Sequence, residues 1–570
     1  MNRRRFLTLA ACAASANAFA HNRKTGTSAA DTAFPLPDIW GNGELLAFSG
    51  LDGPTDYEAG LVARTAATPQ AIEIVWPARL SVGFADRLTG KAIITSDTFH
   101  IEADKSTVRG AFFDAHHLLI EGPCTTGAIP AELATASRGD RTLIGAKAHF
   151  VPGLLDADLP AAIHQRQQWL HRQVLPHALG QSRRRTLAKA ISIMKGQVCT
   201  PEGLIRHRWT TPDRWPHRDL WLWDSVFHAI GWRHLDRSLA REMIEAVFDG
   251  QQPDGRIPHQ LNPAHASEIT QPPVLAFGIQ TLLHDQPDRA WLATLFPRLE
   301  RYLKWDFAHR VHSPDGLAQW KIDGNPLSRS GESGMDNSPR FDEAAALDAV
   351  DFSAFLSLEC DAMAGFAHEL GMTESARKWA ARHDVLNHRL NEFCWDEQAG
   401  FYFDYDPARK ARTGVYAASG FLPLLCGAAS PQQAARLVTL LHNPQRFASR
   451  VPVPSALLTP QTRDPHDMWR GPMWVNMNWL IALGLEQSGY AAAALQLRRQ
   501  TLEEVERRYL ELGSLFEFYD ETGQRAPDQL PRKGVLEPGS AYHQAVHDYG
   551  WTATLYTDLV FCPEIIKIQP

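Results

Sequence analysis

Cysteine is sparse in this chain of 570 residues: there are seven, with no C-x-x-C pair and no His-Cys cluster. Neither a zinc knuckle nor a redox dithiol is therefore expected. Long apolar runs are missing as well, since nothing after the first 20 residues approaches the ~18 needed to cross a bilayer, and no transmembrane span is expected. A basic stripe is also lacking. The 57 Lys and Arg are scattered and outnumbered by 64 Asp and Glu, giving a formal charge of -7, so nucleic acid is not an expected partner. No EF-hand-like loop and no H-E-x-x-H occur, and the pair His543 and His547 has no Glu between its members. No metal and no cofactor are predicted. What the chain does have is tryptophan, 17 residues, many beside Asp, Asn, Gly or Pro. With 44% hydrophobic and 21% charged residues the rest is an ordinary globular profile.

Met1 to Ala20 reads as an address: Arg3-Arg4-Arg5, a mostly apolar Phe6 to Ala16, then Ala18-Phe19-Ala20 as a small-x-small cleavage site. Arg-Arg-x-Phe-Leu over residues 3–7 resembles a twin-arginine signal, which predicts a periplasmic or secreted protein exported already folded. A rival reading is a lipoprotein box, Leu9-Ala10-Ala11-Cys12, which would leave a lipid on Cys12. Cleavage after Ala20 removes three arginines and Cys12, leaving a charge of -10 and six scattered cysteines.

The remaining chain has two periods. Residues 35–155 alternate short β-rich pieces, such as Ala71 to Trp76, Leu80 to Phe84 and His117 to Ile120, with Gly, Pro and Asp breaks, which predicts a β-sandwich. From about 160 the apolar residues fall three and four apart, as in Ala290 to Arg310, Phe352 to Leu370, Glu374 to Phe393 and Ala491 to Leu510. About twelve such segments across residues 186–570 predict an all-α (α/α)6 toroid, many of its helices apolar on more than one side. The stretch 156–185, rich in Arg, Gln and His, reads as a linker helix.

Four loop-like clusters interrupt the helices: Trp221 to Ser225; Gln252 to His259 with Gln271-Pro272-Pro273; Trp320 with Gly331 to Arg340; and Trp469 to Trp479 with Leu515 to Gly523. Each mixes flat aromatic faces with carboxylates, amides or guanidinium groups. A sugar needs both, because the C–H face of a pyranose packs on an indole while its hydroxyls seek paired donors and acceptors. Trp223, Asp224, Gln271, Trp320, Arg340, Trp474, Asn476, Trp479 and Trp551 are the expected substrate contacts. For Asp224 the commoner alternative is a helix N-cap before Ser225, and for Trp474 and Trp479 it is a place in the core.

Ser-Gly-Met-Asp-Asn-Ser-Pro-Arg ending at Arg340, Gly-Pro-Met-Trp-Val-Asn-Met-Asn-Trp ending at Trp479, and Trp223-Asp224 together resemble glycoside hydrolase family 63 and the related mannosylglycerate hydrolases, with family 37 trehalases more distantly similar. The resemblance spans roughly Trp209 to Leu559. It implies an (α/α)6 toroid that hydrolyses an α-glycosidic bond with inversion, with Asp336 as general acid and Glu517 as general base. The residues are compatible with those roles. Gly331, Gly334 and Pro339 keep Asp336 out of a regular helix, and desolvation beside Met335 and Trp320 would have to raise its pKa. Arg340 is expected on the substrate or on Glu332, because a cation beside Asp336 would hold it ionised. Asp520 and Glu521 remain rival bases to Glu517. The predicted activity is an exo-acting, inverting α-glycosidase for small α-linked saccharides or glycosides. A polysaccharide lyase and a non-catalytic saccharide-binding protein are the other two readings.

Overall fold

The computed structural model describes residues 34–563 except 68–69, 85–87, 104, 175, 177–178, 461 and 535–543. The segment Met1 to Ala20, expected to direct export, with Cys12, and His543 lie outside the described residues.

Strands come first: β1 (Leu45–Ala47), β2 (Val62–Ala67), β3 (Gln70–Trp76), β4 (Leu80–Phe84), β5 (Leu88–Ile94), β6 (Thr98–Ala103), β7 (Thr107–Asp114), β8 (His117–Glu121), β9 (Cys124–Thr126), β10 (Leu133–Arg138) and β11 (Arg141–Ala146). They form two sheets, ordered β1-β2-β3-β4-β9 and β10-β11-β8-β7-β6-β5. Every pairing is antiparallel. Alternation decides the packing. Ile72 and Ile74 of β3 and Leu80 and Val82 of β4 turn to one face, and they share a core with Phe99, Ile101, Val108, Leu118, Ile120 and Ile144 of the second sheet. The second sheet is apolar on its other face too. There Ala111, Leu119 and Leu143 are covered by Leu159 and Ile163 of helix α1 (Leu159–His171). The stretch read as one linker helix is thus split: α1 ends at His171 against the sheet, and α2 (Gln181–Gly196) starts afresh in the helical half.

The helical half continues with α3 (Leu222–Trp232), α4 (Arg237–Asp249), α5 (Leu275–Asp285), α6 (Arg289–Arg310), α7 (Val350–Glu369), α8 (Thr373–Arg389), α9 (Pro431–Leu441), α10 (Val475–Gln487), α11 (Ala491–Leu512) and α12 (Gly550–Val560). A 3-10 segment spans Ala418–Leu424. Packing between neighbours closes on itself: α3 on α5, α5 on α7, α7 on the 3-10 segment, that segment on α10, α10 on α12, and α12 back on α3. Helices α4, α6, α8 and α11 lie against members of this cycle. A helix flanked on both sides must be apolar nearly all round, and every residue of α3 is buried.

Buried polar contacts tie the halves together. Arg64 of β2 donates to the carbonyl of Asp213 at 2.7 Å and to that of Trp215, and the Leu45 amide of β1 donates to Asp548 Oδ2 at 2.7 Å. Lys195 of α2 pairs with Asp52 at 2.8 Å and with Asp97. Among the described residues no helix is long and apolar enough to cross a membrane.

Candidate active site

A cavity of about 480 Å³ opens at the N-terminal ends of α3, α10 and α12. Trp223 and Asp224 reach it from the first turn of α3, Trp474 caps α10, and Tyr549 and Trp551 flank the start of α12. Its walls are indoles packed on one another. Trp469 stacks on Trp474 at 3.7 Å with 3° between planes, and Trp551 meets Trp223 edge-on at 5.2 Å and Trp474 at 5.5 Å.

Asp336 and Glu517 both line this cavity. Asp336 projects from the loop after Gly334, whose φ of 68° is a left-handed conformation that glycine adopts without penalty. Two consecutive residues grip the two acids. Arg532 Nε donates to Glu517 Oε2 at 2.8 Å, and Lys533 Nζ donates to Asp336 Oδ2 at 2.6 Å. The loop carrying that pair is held by Asp467, which accepts from the Lys533 and Gly534 amides at 2.8 Å each and from Asn337 Nδ2 at 3.0 Å. Behind Arg532, the His217 ring lies 3.0 Å from Nη2 and 2.6 Å from Asp213, so a chain Asp213–His217–Arg532 fixes the Glu517 carboxylate.

The charges are unevenly distributed. Burial works to raise the Asp336 carboxyl, but the Lys533 ammonium, with smaller help from Arg532 and His259, holds it below the usual carboxylate range. This reverses the sequence-based expectation that desolvation would lift it. Asp224 behaves oppositely, pushed well above the carboxylate range by burial and by the charges of Glu517 and Asp213. Its Oδ1 has no hydrogen-bond partner among the described residues, nor do the Nε1 atoms of Trp221, Trp469 and Trp551. All four belong to residues lining the cavity.

The expected substrate contacts divide. Trp223, Asp224, Gln271, Trp474 and Trp551 line the cavity with the two acids; Trp320, Arg340, Asn476 and Trp479 do not. Gln271 turns its Oε1 to the Trp223 amide at 3.2 Å and so satisfies a buried donor at the start of α3. That start lies earlier than expected: Trp221 is the N-cap, and Asp224 sits in the first turn without capping it. Arg340 and Trp320 are drawn away by one residue. Asp351, at the start of α7, accepts from Arg340 Nη1 at 2.6 Å and from Trp320 Nε1 at 2.9 Å. Asp404 takes the other edge of the Arg340 guanidinium at 2.7 Å, and Glu332 pairs with Arg310 at 2.7 Å instead of with Arg340. Trp479 points outward from α10 to Asp558, 2.8 Å from its Nε1, and Asn476 is fully buried in the first turn of α10.

The rival bases also lie off the cavity. Asp520 closes its own turn onto the Gln524 and Arg525 amides, and Glu521 pairs with His466 at 2.6 Å. Those three residues, and separately Asp56, His116 and His149, bring potential metal-ligand atoms within 4.8 Å of one another. Sequence reasoning missed Arg532, Lys533, Asp467 and His217. An isolated Arg-Lys dipeptide in a loop carries no periodic or motif signal, whereas Trp469 stood in a cluster already singled out.

Residues 216–552 match the family model for the mannosylglycerate hydrolase MGH1-like glycoside hydrolase domain. The chain belongs to this family of glycoside hydrolases. The hydrolase is 29% identical to a mannosylglycerate hydrolase of Thermus thermophilus over 56% of this chain and 93% of that protein. It is 24% identical to a glucosylglycerate hydrolase of Mycolicibacterium hassiacum over 54% of this chain and 87% of that one. Among solved structures, a family 63 mannosylglycerate hydrolase of Thermus thermophilus in complex with glucose aligns with a TM-score of 0.52 at 25% identity, covering 65% of the hydrolase and 99% of the neighbour.

Proposed function

We propose that the hydrolase is an inverting, exo-acting α-glycosidase whose helical half is an (α/α)6 toroid and whose sheets form a β-sandwich, with Asp336 as general acid and Glu517 as general base. The observation that carries this reading is that the two carboxylates face one indole-walled cavity, each held by one of the neighbours Arg532 and Lys533. Inversion needs a carboxylate on each side of the sugar, ~6.5–9.5 Å apart, with room for a water. Glu517, aimed by Arg532, takes a proton from that water as its oxygen attacks the anomeric carbon. The C–O bond to the leaving group breaks on the opposite face, and the leaving oxygen takes the Asp336 proton. Proton donation requires Lys533 to move off Asp336, because a carboxyl in contact with an ammonium stays ionised. Asp224, whose neutral form is favoured by burial and by the neighbouring carboxylates, is placed to donate to a ring hydroxyl, and the unpartnered indole N–H groups of Trp221, Trp469 and Trp551 serve others. The names of the relatives put α-glycosides of glycerate first among substrates, ahead of α-linked disaccharides. The segment Met1 to Ala20 is proposed to direct export.

The test is a screen of α-mannosyl- and α-glucosylglycerate and α-linked disaccharides, with the product anomer read by proton NMR. Asp336→Asn and Glu517→Gln are each expected to lower kcat by ~10³-fold or more while leaving the thermal midpoint within about a degree. Retention of the α configuration, or full turnover by both variants, overturns the reading. New absorbance in the ultraviolet enone band would point to a lyase instead.

A further inference from the structure

The residues that line the cavity differ in burial. Trp223, Trp474 and Trp551 are 1–2% exposed, whereas Trp76, Tyr57 and Arg218 on the same lining are half-buried. Tyr57 and Trp76 come from the sheet-bearing half, outside the matched family domain at 216–552, and Arg218 lies just inside it. The Arg218 guanidinium carbon sits 3.7 Å from the centre of the Trp76 ring and 4.4 Å from that of Tyr57. Both rings are themselves pinned. Tyr57 donates its hydroxyl to Asp219 at 2.5 Å and its amide to Glu202 at 3.0 Å, and Trp76 donates Nε1 to the Glu58 carbonyl at 3.0 Å.

Stacking covers the flat faces of a guanidinium and leaves the N–H donors in its plane. None of those donors has an ion-pair or hydrogen-bond partner among the described residues, and Asp219, the adjacent carboxylate, is turned onto Tyr57 and Asn262. A rigid, permanently charged fork lining a cavity fits a carboxylate, which accepts two parallel N–H bonds. We propose that Arg218, clamped by Tyr57 and Trp76, binds a carboxylate on the leaving group of the substrate, so that the sheet-bearing half supplies the specificity subsite of the helical half. This rests on the hydrolase reading for its meaning in catalysis, but the carboxylate site itself is testable apart from it.

The experiment compares matched pairs that differ by one carboxylate, α-mannosylglycerate against α-mannosylglycerol and the two glucosyl equivalents. It uses the wild-type chain, Arg218→Gln and Arg218→Lys, together with calorimetric titration of D-glycerate and D-glucuronate into each. The wild type is expected to favour the anionic partner by ~10–100-fold in kcat/KM, with the ratio falling close to one in Arg218→Gln and lying between in Arg218→Lys, which keeps charge but loses the fork. An unchanged ratio in Arg218→Gln overturns the proposal, as does a wild type indifferent to the carboxylate. Should neither partner be cleaved, the hydrolase reading fails alone, and the titrations decide. Binding to the wild type that weakens at least ~10-fold in Arg218→Gln supports the site, whereas equal binding, or none, sinks it. If Arg218→Gln does not fold, Arg218→Lys carries the same comparisons, with a weakened ratio or affinity required and an unaltered one fatal.

Discussion

At Asp336 two opposing effects meet: burial favours the neutral acid, and Lys533 at 2.6 Å favours the anion and prevails. In the proposed role of general acid it is needed in its protonated form, so its pKa in the free enzyme would set the alkaline limb of kcat/KM. Removing the cation must raise that pKa. Lys533→Met is therefore expected to move the alkaline limb upward by ~1 unit or more, read from a kcat/KM profile extended downward to about pH 2. A limb that stays put would mean that Lys533 is already off Asp336 in solution. The same arithmetic of partners explains Arg340, which met two fixed carboxylates, Asp351 and Asp404, before it could meet a sugar. Its guanidinium is fully buried between the two carboxylates, and the pair of contacts acts as a clasp that anchors the 331–340 loop to α7.

Among the elements, that loop depends on Gly334. A Cβ added there would lie 2.4 Å from Trp223 Cζ2, and the left-handed φ is itself unfavourable for alanine. Gly334→Ala is expected to lose about 1–3 kcal/mol in a denaturant melt and to lower kcat further than that instability explains, because Asp336 follows two residues on. Wild-type stability in this variant would show that the turn relaxes freely. The regular segments were legible in the amino-acid pattern, since the 3.6-residue period of Ala290 to Arg310 and Ala491 to Leu510 reappears in α6 (Arg289–Arg310) and α11 (Ala491–Leu512). The ends were less so. α8 stops at Arg389, where the backbone widens into a π turn over Leu390–Cys394, a change without any apolar signature.

For the molecule as a whole, the joint between the halves carries buried titratable groups. Glu44, just before β1, is pushed up to about 8 by burial, which outweighs the attraction of Lys189, while Asp548 adds to the rise. Its folded pKa exceeds its unfolded one, so the folded state keeps a proton that the unfolded chain has released. Stability from this group is complete below about pH 4.5 and is lost as pH rises toward about 8. Glu44→Gln removes the titration. The wild type is expected to lose stability relative to Glu44→Gln between pH 5 and 8, by at most about 1.4 kcal/mol per unit, measured as the difference between paired thermal melts. Parallel pH profiles would show that Glu44 is solvated in solution.

The amino-acid order alone determined the change from two-residue to 3.6-residue periodicity, the aromatic clusters and the loop motifs carrying Asp336 and Glu517, because each is written within a dozen neighbouring residues. Tertiary structure decided which members of those clusters face the cavity. Trp474 and Trp479 leave the same helix start for opposite surroundings, Trp474 stacking on Trp469 and Trp479 reaching Asp558. Only folding could bring Lys533 to Asp336, Arg532 to Glu517 and Trp76 over Arg218. The first and last of those contacts join segments far apart in the chain and the Arg532–Glu517 pair spans 15 residues, and the strength of a charge or a stacked ring is fixed by distance in space, which local pattern does not encode.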